Sequence, residues 1–154
     1  MCPDDPWLKS VRGPQMNHTD CLLCRVVNGD LQARKVIETD KIIGVMNDIE
    51  PFSRGHIVFF PKRHTLRLDD MDDQDLAEVL VVIKRVAAAM QLENYNVLQN
   101  NGALAGQTVF HAHFHLIPKW SDSEGLKYDR EFRRELDQGE MYRQVKEALV
   151  RTTS

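Results

Sequence analysis

The stretch GQTVFHAHFHLIP, residues 106–118, places His111, His113 and His115 at alternating positions. Alternation is the period of a β-strand, whose side chains at i, i+2 and i+4 leave the same face of the sheet. Phe110, Ala112, Phe114 and Leu116 occupy the opposite parity. One side of such a strand packs against a core while the other presents three imidazoles. A single histidine on a strand is usually a polar filler on a half-solvated face. Three in register, out of six in the whole chain, point to chemistry instead.

Working outward, YNVLQN (95–100) reads as a neighbouring strand, joined to the histidine strand by the glycine-containing loop NGALAG (101–106). HIVFFPKRH (56–64) reads as another, ended by Pro61 and delivering His64 just past its end. RKVIETD and KIIGVMND predict a hairpin turning near Thr39 and Asp40. Between these strands, Leu76, Val79, Leu80, Ile83, Ala87 and Met90 recur at helical spacing behind the acidic DDQD, which suits a helix start. The pattern predicts a helix over 72–90, with Val81, Val82 and Val86 off its main stripe and available to an interface. The charged C-terminal segment carries Met141, Val145 and Leu149 at the same spacing and predicts a solvated helix. The reading is an α+β fold: a five-stranded antiparallel sheet, one long helix and a C-terminal helix.

A chain of 154 residues suffices for one domain with a real core. Residues 1–18, with three prolines and a second methionine at Met16, read as a loose tail; 19–154 form a single domain with an extension from about 121. A net charge of −3 provides no basic field for a nucleic-acid backbone, which favours a small ligand held by local groups over a polymer. Three cysteines make no disulfide framework and the N-terminus has no apolar leader core, so the expected location is intracellular and cytoplasmic. No apolar run approaches the ~18 residues of a membrane span, so no membrane association is expected.

Cys21 and Cys24 form a C-x-x-C pair. With His64 and one histidine of the triplet they make a possible zinc site of two thiolates and two imidazoles. Two small buried apolar residues are the plain alternative.

HAHFHLI fits the His-x-His-x-His-x-x pattern of the histidine-triad family. CLLCRVVNGD, DIEPFSRGHIVFFPKRH and QNNGALAGQTVFHAHFHLIP extend the match in order and nearly in spacing over residues 19–120. The chain thus resembles the branch of Hint-type nucleotide phosphoramidases. The resemblance implies a homodimer with sheets joined across the interface, and nucleotidyl hydrolysis or transfer at the α-phosphate of a purine nucleotide. It makes His113 the nucleophile that forms a nucleotidyl-histidine, a role a neutral imidazole can fill near pH 7. His115 would hydrogen-bond the phosphate or leaving group, and Gln107 and Thr108 the non-bridging oxygens. Asn100 would line the phosphate site, Asp48 would accept both ribose hydroxyls, and Ile49 would flank the base. Cys21, Cys24, His64 and His111 would hold a structural zinc. KIIGVMNDI is one residue longer than the family pattern before its Asp-Ile pair, which predicts a bulge.

Three other readings stand beside this one: a dinucleoside polyphosphate hydrolase on the same fold, a nucleotide-binding interaction module with incidental hydrolysis, and a hydrolase in which all three histidines bind one catalytic ion.

Overall fold

The computed structural model describes residues 19–128, 133–135 and 137–152, so the expected tail over 1–18 lies outside the described residues. Strands β1 (Lys35–Glu38), β2 (Ile42–Met46), β3 (Ile57–Pro61), β4 (Tyr95–Gln99) and β5 (Phe114–Pro118) form one antiparallel sheet in the order β1-β2-β3-β5-β4. Helices α1 (Leu22–Val27), α2 (Asp73–Ala89) and α3 (Gln138–Thr152), with 3₁₀ turns at Leu68–Asp70 and Ala103–Ala105, complete the described elements, and the architecture is the expected α+β one. No described helix is long and apolar enough to cross a membrane.

The hairpin closes where Thr39 Oγ1 accepts from the backbone N–H of Ile42 at 2.9 Å, a side chain mimicking a backbone turn. The bulge falls in β1, between Lys35 and Ile37, while the β2–β3 register runs unbroken through five pairs. Gly44 is required at the centre of β2, because a Cβ there would lie 2.8 Å from the Phe59 ring and 2.9 Å from Ile37.

Alternation then divides the core. Ile42, Ile57, Phe59, Phe114 and Leu116 pack with α2 on one face of the sheet. Ile43, Val45 and Phe60 pack with Cys21, Leu23, Cys24 and Val26 on the other, so the C-x-x-C segment forms a short helical cover. His115 alternates with Phe114 and Leu116 and therefore belongs to the face opposite α2.

Helix α2 begins where Asp72 accepts from Gln74 N–H at 2.9 Å, an N-cap that satisfies one orphan donor of the first turn. Its buried stripe is Val79, Val82, Ile83, Val86 and Ala87, the i, i+3, i+4, i+7, i+8 series counted from Val79. This corrects the predicted stripe at one position, since Leu80 is 48% exposed. It also corrects the expected interface residues: Val82 and Val86 belong to the core, and only Val81, 53% exposed, stays off the stripe.

Strand β5 is shorter than the sequence suggests. Its pairing with β3 ends at Phe59 opposite Phe114. Upstream, Ala112 N–H donates instead to the carbonyl of Thr65 at 2.7 Å, tying the histidine segment to the chain that follows β3. His111 and His113 therefore stand in the approach to the strand, and His115 within it. The C-terminal helix is solvated as expected, with Met141, Val145 and Leu149 all exposed.

Candidate active site and metal cluster

The triad is divided between two clusters. His111, fully buried, has Nδ1 3.5 Å from Cys21 Sγ, 3.6 Å from Cys24 Sγ and 3.3 Å from His64 Nδ1, while His64 Nδ1 lies 3.2 Å from Cys24 Sγ. The four ligand atoms all fall within 4.8 Å of one another, close enough to hold a metal ion. Bond lengths of about 2.3 Å to sulfur and 2.0–2.1 Å to nitrogen give a tetrahedron with edges of about 3.3–3.8 Å, which these separations match. His111 Nε2 donates to the carbonyl of Pro61 at 2.7 Å. That bond fixes the tautomer, leaving a lone pair on Nδ1 directed into the cluster. Burial beside Cys21 pushes the Cys24 thiol up to about 12. A thiol so disposed is no redox nucleophile; a bound cation would draw off its proton.

His113 and His115 form the second cluster, with ring centroids 5.0 Å apart. Their proton positions follow from their partners. His113 Nδ1 donates to the carbonyl of His111 at 2.6 Å, so Nε2 carries the lone pair. Behind His115 stands His56, which the sequence reading did not single out. Its Nδ1 accepts from the backbone N–H of Phe52 at 3.1 Å and from Asn47 Nδ2 at 3.2 Å, so its proton is on Nε2. Nε2 donates to His115 Nδ1 at 2.9 Å, which leaves the His115 proton on Nε2. Burial pushes His56 down to about 4, and burial together with the neighbouring His113 and His56 pushes His115 down to about 3. Burial also lowers His113, against the opposing bond to the His111 carbonyl. All three are neutral near pH 7. Two lone-pair and N–H functions are thereby presented side by side: a nucleophilic nitrogen on His113 and a donor on His115.

His56 was legible in principle. It directly precedes β3, whose Val58 pairs with His115, and Gly55, with φ +79°, turns the chain into it. The signal was register, which a sequence does not print.

The remaining candidates flank this pair. Gln99 pairs with Phe114, so the register carries Asn100 to the level of His113; its Nδ2 donates to the carbonyl of Gly106 at 3.4 Å. Gln107 is buried and its carboxamide is spent on backbone, accepting from Gly102 N–H at 2.7 Å and donating to the carbonyls of Leu66 at 2.7 Å and Val109 at 3.2 Å. It holds the loop in place, whereas Thr108 beside it is exposed. Asp48 follows β2, where Asn47 N–H donates to the carbonyl of His56 at 2.9 Å. Both Asp48 oxygens are engaged by Arg34, through Nε at 2.9 Å and through Nη2, which holds the carboxyl below its usual range. Ile49 is 82% exposed, an apolar surface offered to solvent. One expectation does not survive as an arrangement: the three triad histidines do not converge on a single ion, because His111 belongs with the cysteines.

Comparisons with known proteins agree with this geometry. The HIT domain model matches residues 28–122. The chain is 42% identical over 106 residues to the adenosine 5'-monophosphoramidase of Schizosaccharomyces pombe, across 69% of this chain and 79% of that protein. Identity to the enzyme of the same description from Saccharomyces cerevisiae is 40% over 123 residues, across 79% of this chain and 77% of that one. Among solved structures, a histidine triad nucleotide-binding protein from Candida albicans superposes with a TM-score of 0.79 at 33% identity, across 86% of this chain and 99% of that one.

Proposed function

Because the chain belongs to the HIT domain family, we propose that it is a hydrolase that cleaves nucleoside phosphoramidates, adenosine 5'-phosphoramidate foremost, at the α-phosphate. The observation that carries this reading is the tautomer of His113, whose Nδ1–H is spent on the His111 carbonyl and whose Nε2 is left basic and unprotonated. That nitrogen attacks the α-phosphorus and displaces the amine, and water then releases the nucleotide from the nucleotidyl-histidine. Splitting one difficult substitution into two displacements is the advantage of covalent catalysis. His115 presents Nε2–H to the departing amine or to a phosphoryl oxygen, where a well-placed donor is worth about 10²–10³-fold. Thr108 and Asn100 serve the non-bridging oxygens, with Gln107 fixing the loop that bears them. Asp48 receives the ribose hydroxyls and Ile49 covers the base.

Zinc is the metal best suited to Cys21, Cys24, His64 and His111, since two thiolates and two imidazoles leave no open position for substrate. Its role in this reading is structural. Zinc, when bound, supplies a rigid cross-link between α1, the end of β3 and the approach to β5. The compartment that suits reduced thiols of this kind is the cytoplasm.

The acting unit is a homodimer. Leu80 and Val81 on α2 are exposed apolar groups, as are Tyr95 and Val97 on β4, whose outer edge pairs with no strand among the described residues. Light scattering should give twice 17.8 kDa. An active monomer would remove this part of the reading.

The decisive experiment is rapid acid quench with substrate labelled at the α-phosphate, followed by mapping of the acid-labile label. It should lie on His113, and adenosine phosphoramidate should exceed diadenosine polyphosphates in kcat/KM. Label elsewhere, or a preference for the polyphosphates, overturns the mechanism or the substrate class respectively.

A further inference from the structure

The segment that leaves β5 returns to the loop in front of β3 and fastens it. Arg54 donates to Glu124 three times, from its backbone N–H at 2.9 Å, from Nε at 2.9 Å and from Nη2 at 3.1 Å. Trp120 Nε1 donates to the carbonyl of Arg54 at 2.8 Å, and the Arg54 guanidinium lies 5.9 Å from the centre of the Trp120 ring. Gly125 N–H donates to the carbonyl of Phe52 at 3.0 Å. Five hydrogen bonds between residues 120–125 and 52–54 thus lock two otherwise unrelated loops together.

The fastened loop includes Phe52, which with Asn47 sets His56. Phe52 has its carbonyl held by Gly125 and its N–H given to His56 Nδ1, and its ring lies 5.6 Å from the His56 ring at a 31° tilt. His56 in turn gives its Nε2 proton to His115. We propose that Glu124 and Trp120 are positioning residues for the reaction: by holding Arg54 they fix the loop that carries Phe52, and through Phe52 and His56 that loop selects the tautomer of His115 that presents Nε2–H to substrate. Neither touches the reacting atoms. This rests on the phosphoramidase reading for its consequence in catalysis, but its structural half concerns the ligand-free protein.

A surface ion pair alone contributes little to stability, so the latch matters for placement rather than for holding the fold. A small displacement of a catalytic group, by contrast, can cost as much as about 10²-fold in rate. The latch also gives the extension after Trp120 a function in the same protomer, distinct from the solvated helix that follows it.

The test reads imidazole ¹⁵N shifts and steady-state kinetics on the full chain. In wild type, His56 and His115 should each show a single tautomer, with pyridine-type Nδ1 and pyrrole-type Nε2. Glu124→Ala should shift both toward averaged tautomers and lower kcat on adenosine phosphoramidate about ten-fold with KM changed less than about two-fold. Glu124→Gln keeps an oxygen for the Arg54 N–H and should recover most of the loss. Trp120→Phe, which removes the indole donor and shrinks the ring beside Arg54, should act in the same direction. Unchanged ¹⁵N patterns in Glu124→Ala overturn the proposal whether or not kcat falls, and so does an intact kcat accompanied by averaged tautomers. Failure of wild type to cleave phosphoramidate would instead strike the substrate reading, leaving the nitrogen spectra to judge the latch.

Discussion

His56 and His115 share one proton across 2.9 Å, and the two donors to His56 Nδ1, the backbone N–H of Phe52 and Asn47 Nδ2, decide which of the two nitrogens it belongs to. The two imidazoles are therefore not interchangeable with His113, whose proton is held by a carbonyl of its own chain. His113→Ala should eliminate the covalent intermediate and lower kcat by about 10³-fold or more while leaving AMP affinity nearly intact. His56→Ala should retain the intermediate and slow turnover by about 10–10²-fold, because it removes the group that orients a donor and not the nucleophile. Single-turnover quench experiments separate the two outcomes; loss of the intermediate in His56→Ala would contradict these roles.

Metal removal should act on stability before chemistry. Zinc analysis of protein prepared without chelator should give about one ion per chain, and stripping it should lower Tm by roughly 10 °C, equivalent to about 3 kcal/mol for a chain of this size. Cys21→Ser should reproduce the loss of stability and of metal, with kcat at low temperature reduced by much less than in His113→Ala.

The low proton affinities of His56 and His115 make folding depend on pH. Unfolded imidazoles take up protons as the pH falls through about 6.5, whereas the folded ones stay neutral until about 4 and about 3. Between those limits the unfolded state binds more protons, so stability is complete above about pH 6.5 and declines steadily as the pH drops toward 3–4. Thermal melts from pH 8 to pH 4 should show Tm falling below about pH 6.5. His56→Phe should flatten that slope; a Tm constant down to pH 4.5 would refute the assignment.

In the proposed reading, where Asp48 receives the ribose hydroxyls, Arg34 competes for its carboxylate. An exposed ion pair is weak, which limits the gain from removing the competitor to about five-fold. Arg34→Ala should therefore tighten AMP binding, measured calorimetrically, by up to that factor, whereas Asp48→Asn should weaken it with little change in kcat. Weaker binding in Arg34→Ala would assign the guanidinium a direct contact with the nucleotide instead.

The five strands, their hairpin and the N-cap of α2 were all legible because each depends on local pattern: alternation, a turn hydroxyl and an acidic residue before a periodic run. The rotation of α2 was less so. Leu80 and Val82 both fit some helical stripe, and only packing against Phe59 and Leu116 chooses between them. His111 and His113 look like strand residues in sequence, yet the ladder stops short of them because the chain after Pro61 turns away and offers the carbonyl of Thr65 instead. His56, Arg34 and Glu124 carried no motif of their own. Each acquires its part from a residue 14 to 70 positions distant, a relation fixed by register and loop closure.

The carbonyl of His111 that fixes the His113 proton belongs to the main chain. Every amino acid supplies that oxygen, so the orientation of the His113 ring is heritable independently of the side chain at 111. A lineage could exchange this imidazole, let the cysteines drift and abandon the metal altogether, provided packing compensated for the lost cross-link. The first half of the reaction would persist through such changes, since the decisive acceptor is encoded by the backbone and no single codon can delete it.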